Sequence, residues 1–412
     1  MRALHDAGMK TLNEIIPASA SLYMALVSET CLPEVNGVAI TLGRMVQGLR
    51  QRGHVIHMIR PRQHRQDAAA EEQNYRETLV AGMSVPGYAG LKFGLPARGL
   101  LLQLWKLHRP DIVHIVTEGP LGWSALSAAR ELNIPVSTDF HTNFHSYTQH
   151  YGIGLLKKPI AAYLRHFHNQ AACTLVPTVE LKQQLEQQGY RNVRVVARGV
   201  DTELFHPSRR SRALRTSWGV DDSDPVVMVV SRIAAEKNLH VVIRAFELMW
   251  AMNPLARLVM VGDGPARAGL QKKHPNVIFA GMQTGEALAE HYASGDIFLY
   301  PSMTETYGNV TIEAMASGLA AIAYDYAAAR QHITHNTDGI LVPLGDTQAF
   351  LMQARALVTD MARVGYLRHA ARHAVQSLTW EHIMGQMEAV LVDTVRAQGV
   401  RHEQPELATA TD

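Results

Sequence analysis

The chain has 412 residues, of which 47% are hydrophobic and 18% charged, a balance that suits two packed domains and excludes a disordered polymer. Its two cysteines, Cys31 and Cys173, exclude a disulfide scaffold and fit a reduced, cytoplasmic setting. The net charge of +2 is unevenly spread: residues 1–199 hold 21 Lys and Arg against 14 Asp and Glu, residues 200–412 hold 18 against 23, so an anionic partner is expected on the first half.

Residues 1–20 carry Asp6 and Glu14 and no continuous apolar run, which reads as an N-terminal extension and not a secretory leader. No apolar run anywhere reaches the roughly 18 residues of a membrane-spanning helix. From residue 21 onward, apolar runs of strand length alternate with stripes of helical spacing. A strand is predicted over 22–27, then a helix over 38–52 from the spacing of Val38, Leu42, Met45, Val46 and Leu49, then a strand over 55–59. Strands follow over 111–116, 135–139, 174–177 and 193–197, with a helix over 121–132. The pattern restarts after residue 207, with strands over 225–230, 257–261, 277–280, 296–300, 320–323 and 339–342, and with helices over 239–249 and 310–317. A final helix is predicted over 380–395. Strand and helix in alternation imply parallel sheets covered on both faces. The expected organisation is a first Rossmann-like domain over 21–199, a linker over 200–207, and a second Rossmann-like domain over 208–379. A C-terminal helix over 380–398 is expected to pack back on the first domain, and 399–412 form a tail. In open parallel sheets ligands bind beyond the carboxyl ends of the strands, so the loops that follow strands are the ones to read.

The most informative loop is the stretch 300–318, which runs from Tyr300 through Glu305, Gly308, Asn309, Val310 and Glu313 to Gly318. A strand enters a polar loop, and Gly308 opens a helix whose first N–H groups, at Asn309 and Val310, suit a diphosphate. Glu305 and Glu313 flank that helix mouth and can straddle a nucleoside diphosphate, each holding hydroxyl groups. After the first strand of the second half, Arg232 and Lys237 supply two cations suited to a phosphate, one a planar fork and the other a point charge. Asn36 and Gly37 sit at the mouth of the first helix, where backbone can approach a phosphate; the dinucleotide fingerprint G-x-G-x-x-G is absent. Gly262, in a Gly-Asp-Gly-Pro turn, leaves the cleft floor open. No zinc spacing such as C-x-x-C, no D-x-D at a strand end and no Ser–His–Asp signature is found.

Glu305 and Glu313, together with Gly308 and the closing Ala-Met-Ala-Ser-Gly, resemble the paired-glutamate motif of retaining glycosyltransferase family four, and the resemblance extends from about residue 21 to about 395. It implies an α/β fold of the GT-B type, with two Rossmann-like domains whose parallel sheets face across a cleft, the acceptor-side domain over 21–199 and the donor-binding domain over 208–379. It implies that Glu305 approaches the donor sugar, that Glu313 holds the ribose, and that Arg232 and Lys237 hold the donor phosphates. His141 is implied near the donor sugar's hydroxyls and the Met282 segment at the base. Asn36 stands where the family usually has glycine. The implied activity is a metal-independent, retaining hexosyl transfer, mannosyl favoured, from a nucleoside-diphosphate sugar to a lipid or glycan hydroxyl, with no cofactor and no nucleic-acid partner. The nearest subgroups resemble bacterial GDP-mannose-dependent α-mannosyltransferases and sulfoquinovosyl-type diacylglycerol glycosyltransferases. A UDP-sugar-dependent diacylglycerol glycosyltransferase is the alternative, and a non-catalytic sugar-nucleotide-binding subunit is the rival from another class. Lys92, Arg98, Lys106 and Arg109 lie in the stretch 78–110, and Lys157, Lys158 and Arg165 in 140–179, both without an acidic residue and with apolar residues such as Leu91, Leu95, Leu100, Trp105, Leu155, Leu156, Tyr163 and Leu164. They predict docking of the first domain on the anionic cytoplasmic membrane face.

Overall fold

The computed structural model describes residues 21–31, 34, 37–84, 92–141 and 157–399. The strands of the first half are β1 (Tyr23–Val27), β2 (Val55–Pro61), β3 (Glu71–Glu72), β4 (Tyr75–Val80), β5 (Gly82–Ser84), β6 (Lys92–Gly94), β7 (Ile112–Ile115), β8 (Val136–Asp139), β9 (Cys173–Val176) and β10 (Val193–Val195). Those of the second half are β11 (Val226–Val230), β12 (Arg257–Val261), β13 (Ile278–Gly281), β14 (Ile297–Tyr300), β15 (Ala320–Tyr324) and β16 (Ile340–Val342). They build an eight-stranded sheet in the order β10-β9-β8-β7-β1-β2-β4-β3, a six-stranded sheet in the order β13-β12-β11-β14-β15-β16, and the two-stranded ribbon β5-β6. Both large sheets are parallel except where β3 meets β4. This is the expected α/β architecture of two parallel sheets.

Each sheet reverses its strand order once, between β1 and β7 in the first and between β11 and β14 in the second. Ligands of open α/β sheets bind at such reversals. The loops leaving β1, β11 and β14 there are the ones that carry Gly37, Arg232 with Lys237, and Glu305 with Gly308. The central strand β11, Val-Val-Met-Val-Val, is buried along its whole length, as a strand covered by helices on both faces must be.

Two elements escape a reading by apolar pattern. Strand β4 carries Arg76 and Glu77 and is only half buried. It pairs with β2 because Glu77 finds Arg60, at 2.7 Å, in place of water. The ribbon β5-β6 is short and glycine-rich, and it has no period to detect.

The C-terminal helix Trp380–Ala397 packs against the first sheet's helix Gly37–Gln51, burying Ile383, Met384, Met387 and Leu391 beside Leu42, Met45 and Leu49. Burying side chains of this size contributes about 1.5–3 kcal/mol each. Gly48 permits the close approach, since a Cβ there would lie 2.4 Å from Met384 Cγ. Glu388 completes the contact by accepting from Arg52 and from the buried His54, the latter at 3.1 Å. The chain therefore crosses between the domains twice, and the two crossings touch. Val200 N–H donates to Leu378 O at 2.8 Å, Val200 and Thr379 form a parallel bridge, and Gly199 lies so close to Trp380 that a Cβ would come within 2.7 Å of its backbone.

Candidate active site

The β14 strand delivers Tyr300 to the sheet's carboxyl edge, and the loop beyond it folds back on that ring. Glu305 Oε1 accepts from Tyr300 OH at 2.7 Å, from Ser302 Oγ at 2.6 Å and from Lys237 Nζ at 2.5 Å. Burial alone acts to raise the Glu305 carboxyl, but the Lys237 ammonium and these three donors outweigh it, so Glu305 is held below its ordinary range and stays ionised. Its side chain keeps 14% of its surface open, which leaves it able to meet a ligand.

Lys237 arrives from the loop after β11 by way of a single 3-10 turn, Ala235–Lys237, that ends on Asn238 in a left-handed conformation with φ +51°. Asn tolerates that backbone better than most residues. Its side-chain amide donates to Pro301 O at 2.9 Å, which ties the cation loop to the carboxylate loop. Two residues 68 positions apart are thereby brought into one ion pair at the sheet's edge. Arg232 pairs with Glu236; the guanidinium is 40% exposed while the carboxylate beneath it is 6% exposed. A buried carboxylate thus carries an exposed cation on the cleft side.

The helix Asn309–Ala316 begins at Gly308, whose φ of +91° and ψ of +59° only glycine adopts without strain. No side chain caps this N-terminus and its first turn holds no acid. The backbone N–H groups of Asn309 and Val310, with the positive end of the helix dipole, are therefore chemically suited to an anion. Glu313, one helical turn further, accepts from Tyr292 OH at 3.0 Å. Burial pushes its carboxyl up to about 7, only partly offset by Tyr292 and by the charge of Arg44. The two glutamates thus sit in opposite electrostatic states, one with a cation in contact and one without.

Gly262 and Gly264 do something other than leave space. A Cβ on Gly262 would lie 2.0 Å from Ser231 O, and one on Gly264 would lie 2.5 Å from Ile233 O. These glycines let the β12 loop press against the β11 loop, and Ile233 N–H donates to Asp263 O at 2.9 Å. Their role in the fold is to shape the Arg232 loop. Met282 follows β13 and is 55% exposed, on the same edge. Gly37 opens the first helix, and Asn36 lies outside the described residues.

On the facing domain, His141 follows β8 and is almost wholly buried. Its Nε2 lies 2.9 Å from Asp139 Oδ2, and Arg198 Nη2 donates to its Nδ1 at 3.2 Å. Burial lowers its basicity, Asp139 opposes this and Arg198 adds to it, with a net downward shift, so the imidazole is neutral with its proton on Nε2 toward Asp139. Asp139 itself is fully buried between His141, His114 and Arg198 and is held well below the usual carboxylate range. Arg198 has no signal in the sequence, and Asp139 acquires meaning only once the fold places it against three partners.

A second carboxylate organises this domain's edge. Glu29, 7% exposed in the loop after β1, accepts from Leu121 N–H at 2.9 Å and from Gly94 N–H at 2.5 Å. It caps the helix Pro120–Glu131 from outside, and Gly119 has to be glycine because a Cβ would meet Glu29 Oε1 at 2.1 Å.

The segments expected to face a membrane are divided. Leu101, Trp105, Leu164 and Phe167 belong to the core, whereas Leu95, Leu100, Leu107 and Tyr163 are exposed. Arg109 is spent on the carbonyls of Leu132 and Asn133, and Arg98 pairs with Glu131. Lys158 and Arg165 lie on the exposed side of their helix; Leu91, Leu155 and Leu156 lie outside the described residues. Among the described residues no helix is long and apolar enough to cross a membrane, and no three His, Cys, Asp or Glu side chains are grouped to hold a metal.

The model of Glycosyltransferase Family 4 matches residues 35–204, and that of Glycosyl transferases group 1 matches residues 224–360. A GDP-mannose-dependent alpha-mannosyltransferase of Mycobacterium tuberculosis is 36% identical over 89% of this chain and 96% of the relative. This chain belongs to glycosyltransferase family 4. The enzyme is a hexosyltransferase of the GT-B fold. It is also 28% identical to a sulfoquinovosyl transferase of Arabidopsis thaliana, over 84% of the chain and 68% of that protein. Among solved structures, sucrose-phosphate synthase from Thermosynechococcus elongatus covers 91% of the enzyme and 100% of its own chain, with a TM-score of 0.71 at 19% identity. Anabaena HepE in complex with UDP covers 90% and 100%, with a TM-score of 0.70 at 18% identity. At these identities the two structures bear on the fold alone.

Proposed function

We propose that the enzyme moves a mannosyl group, with retention of configuration and without a metal, from GDP-mannose to a hydroxyl of a membrane lipid or lipid-linked glycan at the cytoplasmic membrane face. The observation that carries the reading is the Lys237–Glu305 ion pair at the mouth of an uncapped helix. In this reading Lys237, Arg232 and the N–H groups of Asn309 and Val310 hold the departing diphosphate, as preorganised donors hold developing negative charge in other transferases. Glu305 faces the sugar, Glu313 the ribose, His141 the sugar hydroxyls, and the Met282 segment the base. Front-face departure and attack let the leaving phosphate take the proton of the incoming hydroxyl, so no residue need act as a covalent nucleophile. GDP and mannose are favoured because three relatives over 30% identical are GDP-mannose-dependent alpha-mannosyltransferases. The lipid acceptor draws support from the alpha-monoglucosyldiacylglycerol synthase of Streptococcus pneumoniae, 28% identical over 74% of this chain. Met83, Leu95, Leu100, Leu107 and Tyr163 are exposed, as are Lys106 and Lys158, and apolar and cationic side chains of this kind are what interfacial attachment uses.

A panel of GDP- and UDP-linked hexoses, assayed for nucleoside diphosphate release with diacylglycerol and lipid-linked glycan acceptors in anionic vesicles, tests this. Turnover with GDP-mannose that survives EDTA is expected. Turnover with UDP-sugars alone would replace the donor assignment, and indifference to anionic vesicles at low salt would remove the membrane part.

A further inference from the structure

Between Glu305 and Gly308 stand Thr306 and Tyr307, and both reach across the cleft. Thr306 Oγ1 donates to the backbone oxygen of His141 at 2.7 Å, and Tyr307 OH donates to the backbone oxygen of Arg198 at 3.0 Å. Arg198 in turn donates through its guanidinium to His141 Nδ1. Both bonds therefore converge on one residue of the first domain, the first directly and the second by way of Arg198. On its own side Tyr307 is fixed from two directions. Its backbone oxygen accepts from Ala328 N–H at 2.8 Å, and its hydroxyl lies 2.8 Å from His332 Nε2. Because the hydroxyl gives its proton to Arg198 O, it takes one from His332, which burial lowers to about 4 and so keeps neutral, with its proton on Nε2. The Tyr307 ring is 5% exposed. Neighbouring residues thus hydrogen-bond to one domain while their shared loop carries the carboxylate of the other.

We propose that Thr306 and Tyr307 form a two-point clasp that registers the Glu305 loop against His141 whenever the domains close, with Tyr307 acting as a positioning residue for the transfer. The clasp belongs to the donor loop itself, so closure and the placing of Glu305 opposite His141 are a single event. A phenylalanine at 307 would fill the same space, keep the edge-to-face contact with His332 and lose only the hydroxyl. The inference rests on the donor-site reading given above.

The test compares full-length wild type with Tyr307→Phe, Thr306→Val, His141→Ala and the double variant Tyr307→Phe/His141→Ala. The measurements are kcat, donor KM and the Kd of GDP and UDP by calorimetry. Loss of one buried hydrogen bond that acts in the closed state is expected to lower kcat roughly tenfold in Tyr307→Phe. Nucleoside diphosphate affinity should stay within about twofold, because in the donor-site reading Tyr307 contributes no group to the nucleotide: its hydroxyl is taken up by Arg198 O and His332. In the His141→Ala background the Tyr307→Phe change should add less than about twofold, since the clasp acts through His141. A kcat within twofold of wild type in Tyr307→Phe, or a full multiplicative loss in the double variant, would overturn the clasp. Wild-type turnover by Glu305→Ala would instead overturn the donor-site reading, and that result is separable because the coupling between Tyr307 and His141 is measured without it.

Discussion

The two edges that face each other across the cleft are built on different plans. On the second domain the charged groups lie in loops leaving two neighbouring strands, β11 and β14, and they meet one another there: Lys237 with Glu305, Arg232 with Glu236. On the first domain the charged groups are buried under the edge and pull distant pieces together: Glu29 onto Leu121 and Gly94, Asp139 onto His141 and His114. The second domain leaves Arg232 exposed and the Lys237–Glu305 pair partly open, where an anion can compete for the cations. The first domain spends its buried carboxylates on shape. Loss of Lys237 should therefore fall on catalysis, and loss of Glu29 on stability.

The sharpest test of that contrast is Lys237→Ala. It removes a cation from the leaving phosphate, while the partly open Glu305 keeps the Tyr300 and Ser302 hydroxyls as donors. A loss of about 2–4 kcal/mol in transition-state stabilisation, or roughly 30- to 1000-fold in kcat/KM, is expected with a melting temperature near wild type. Glu29→Ala is its mirror image. Two buried N–H groups lose their acceptor, and destabilisation of about 2–4 kcal/mol should appear in denaturant titration, with turnover per folded molecule little changed. If Glu29→Ala folds normally and loses turnover, the division between the two edges is wrong.

Glu313 gives a smaller effect with a definite sign. Its raised pKa means that the donor-free protein gains stability from the neutral form below the ordinary carboxylate range and loses that gain as pH rises through about 7. A ribose hydroxyl donating to the carboxylate favours the ionised form, so donor affinity should improve as pH rises toward and through about 7, with a proton released on binding. Calorimetry in buffers of different ionisation enthalpy reads that proton directly, and Glu313→Gln should flatten both dependences. The smallest effect is expected at Ala327, which holds φ at +52° next to the residue that braces Tyr307. Ala327→Gly relieves left-handed strain but adds unfolded-chain entropy, so a gain of at most about 1 kcal/mol is expected in thermal unfolding.

How much of this was legible in the sequence follows the same division. The parallel sheets could be read because strands such as Val226–Val230 are continuous apolar runs between helical stripes. Lys237 and Glu305 could each be singled out because each follows a strand, although only the fold shows that they touch. Strand β4 was hidden, because Glu77 is satisfied by Arg60 and the stretch reads as polar. The apolar residues around Arg98 and Lys158 were ambiguous for a plain reason. A helix covering a sheet and a helix lying on a membrane carry the same stripe, and only the structure separates Trp105, in the core, from Leu107, 77% exposed. Arg198, Glu29 and the hydroxyls of Tyr292 and Tyr307 act through contacts between distant segments, and no local pattern announces them.

The doubled crossing at Val200 and Thr379 has a mechanical consequence. Two chain segments clamped side by side behave as a door hung on two pins: swinging remains cheap, while sliding and twisting would have to break Val200 N–H to Leu378 O. Relative movement of the two domains is therefore expected to be a swing about this point, which restricts the directions from which a group held on one face can meet the other.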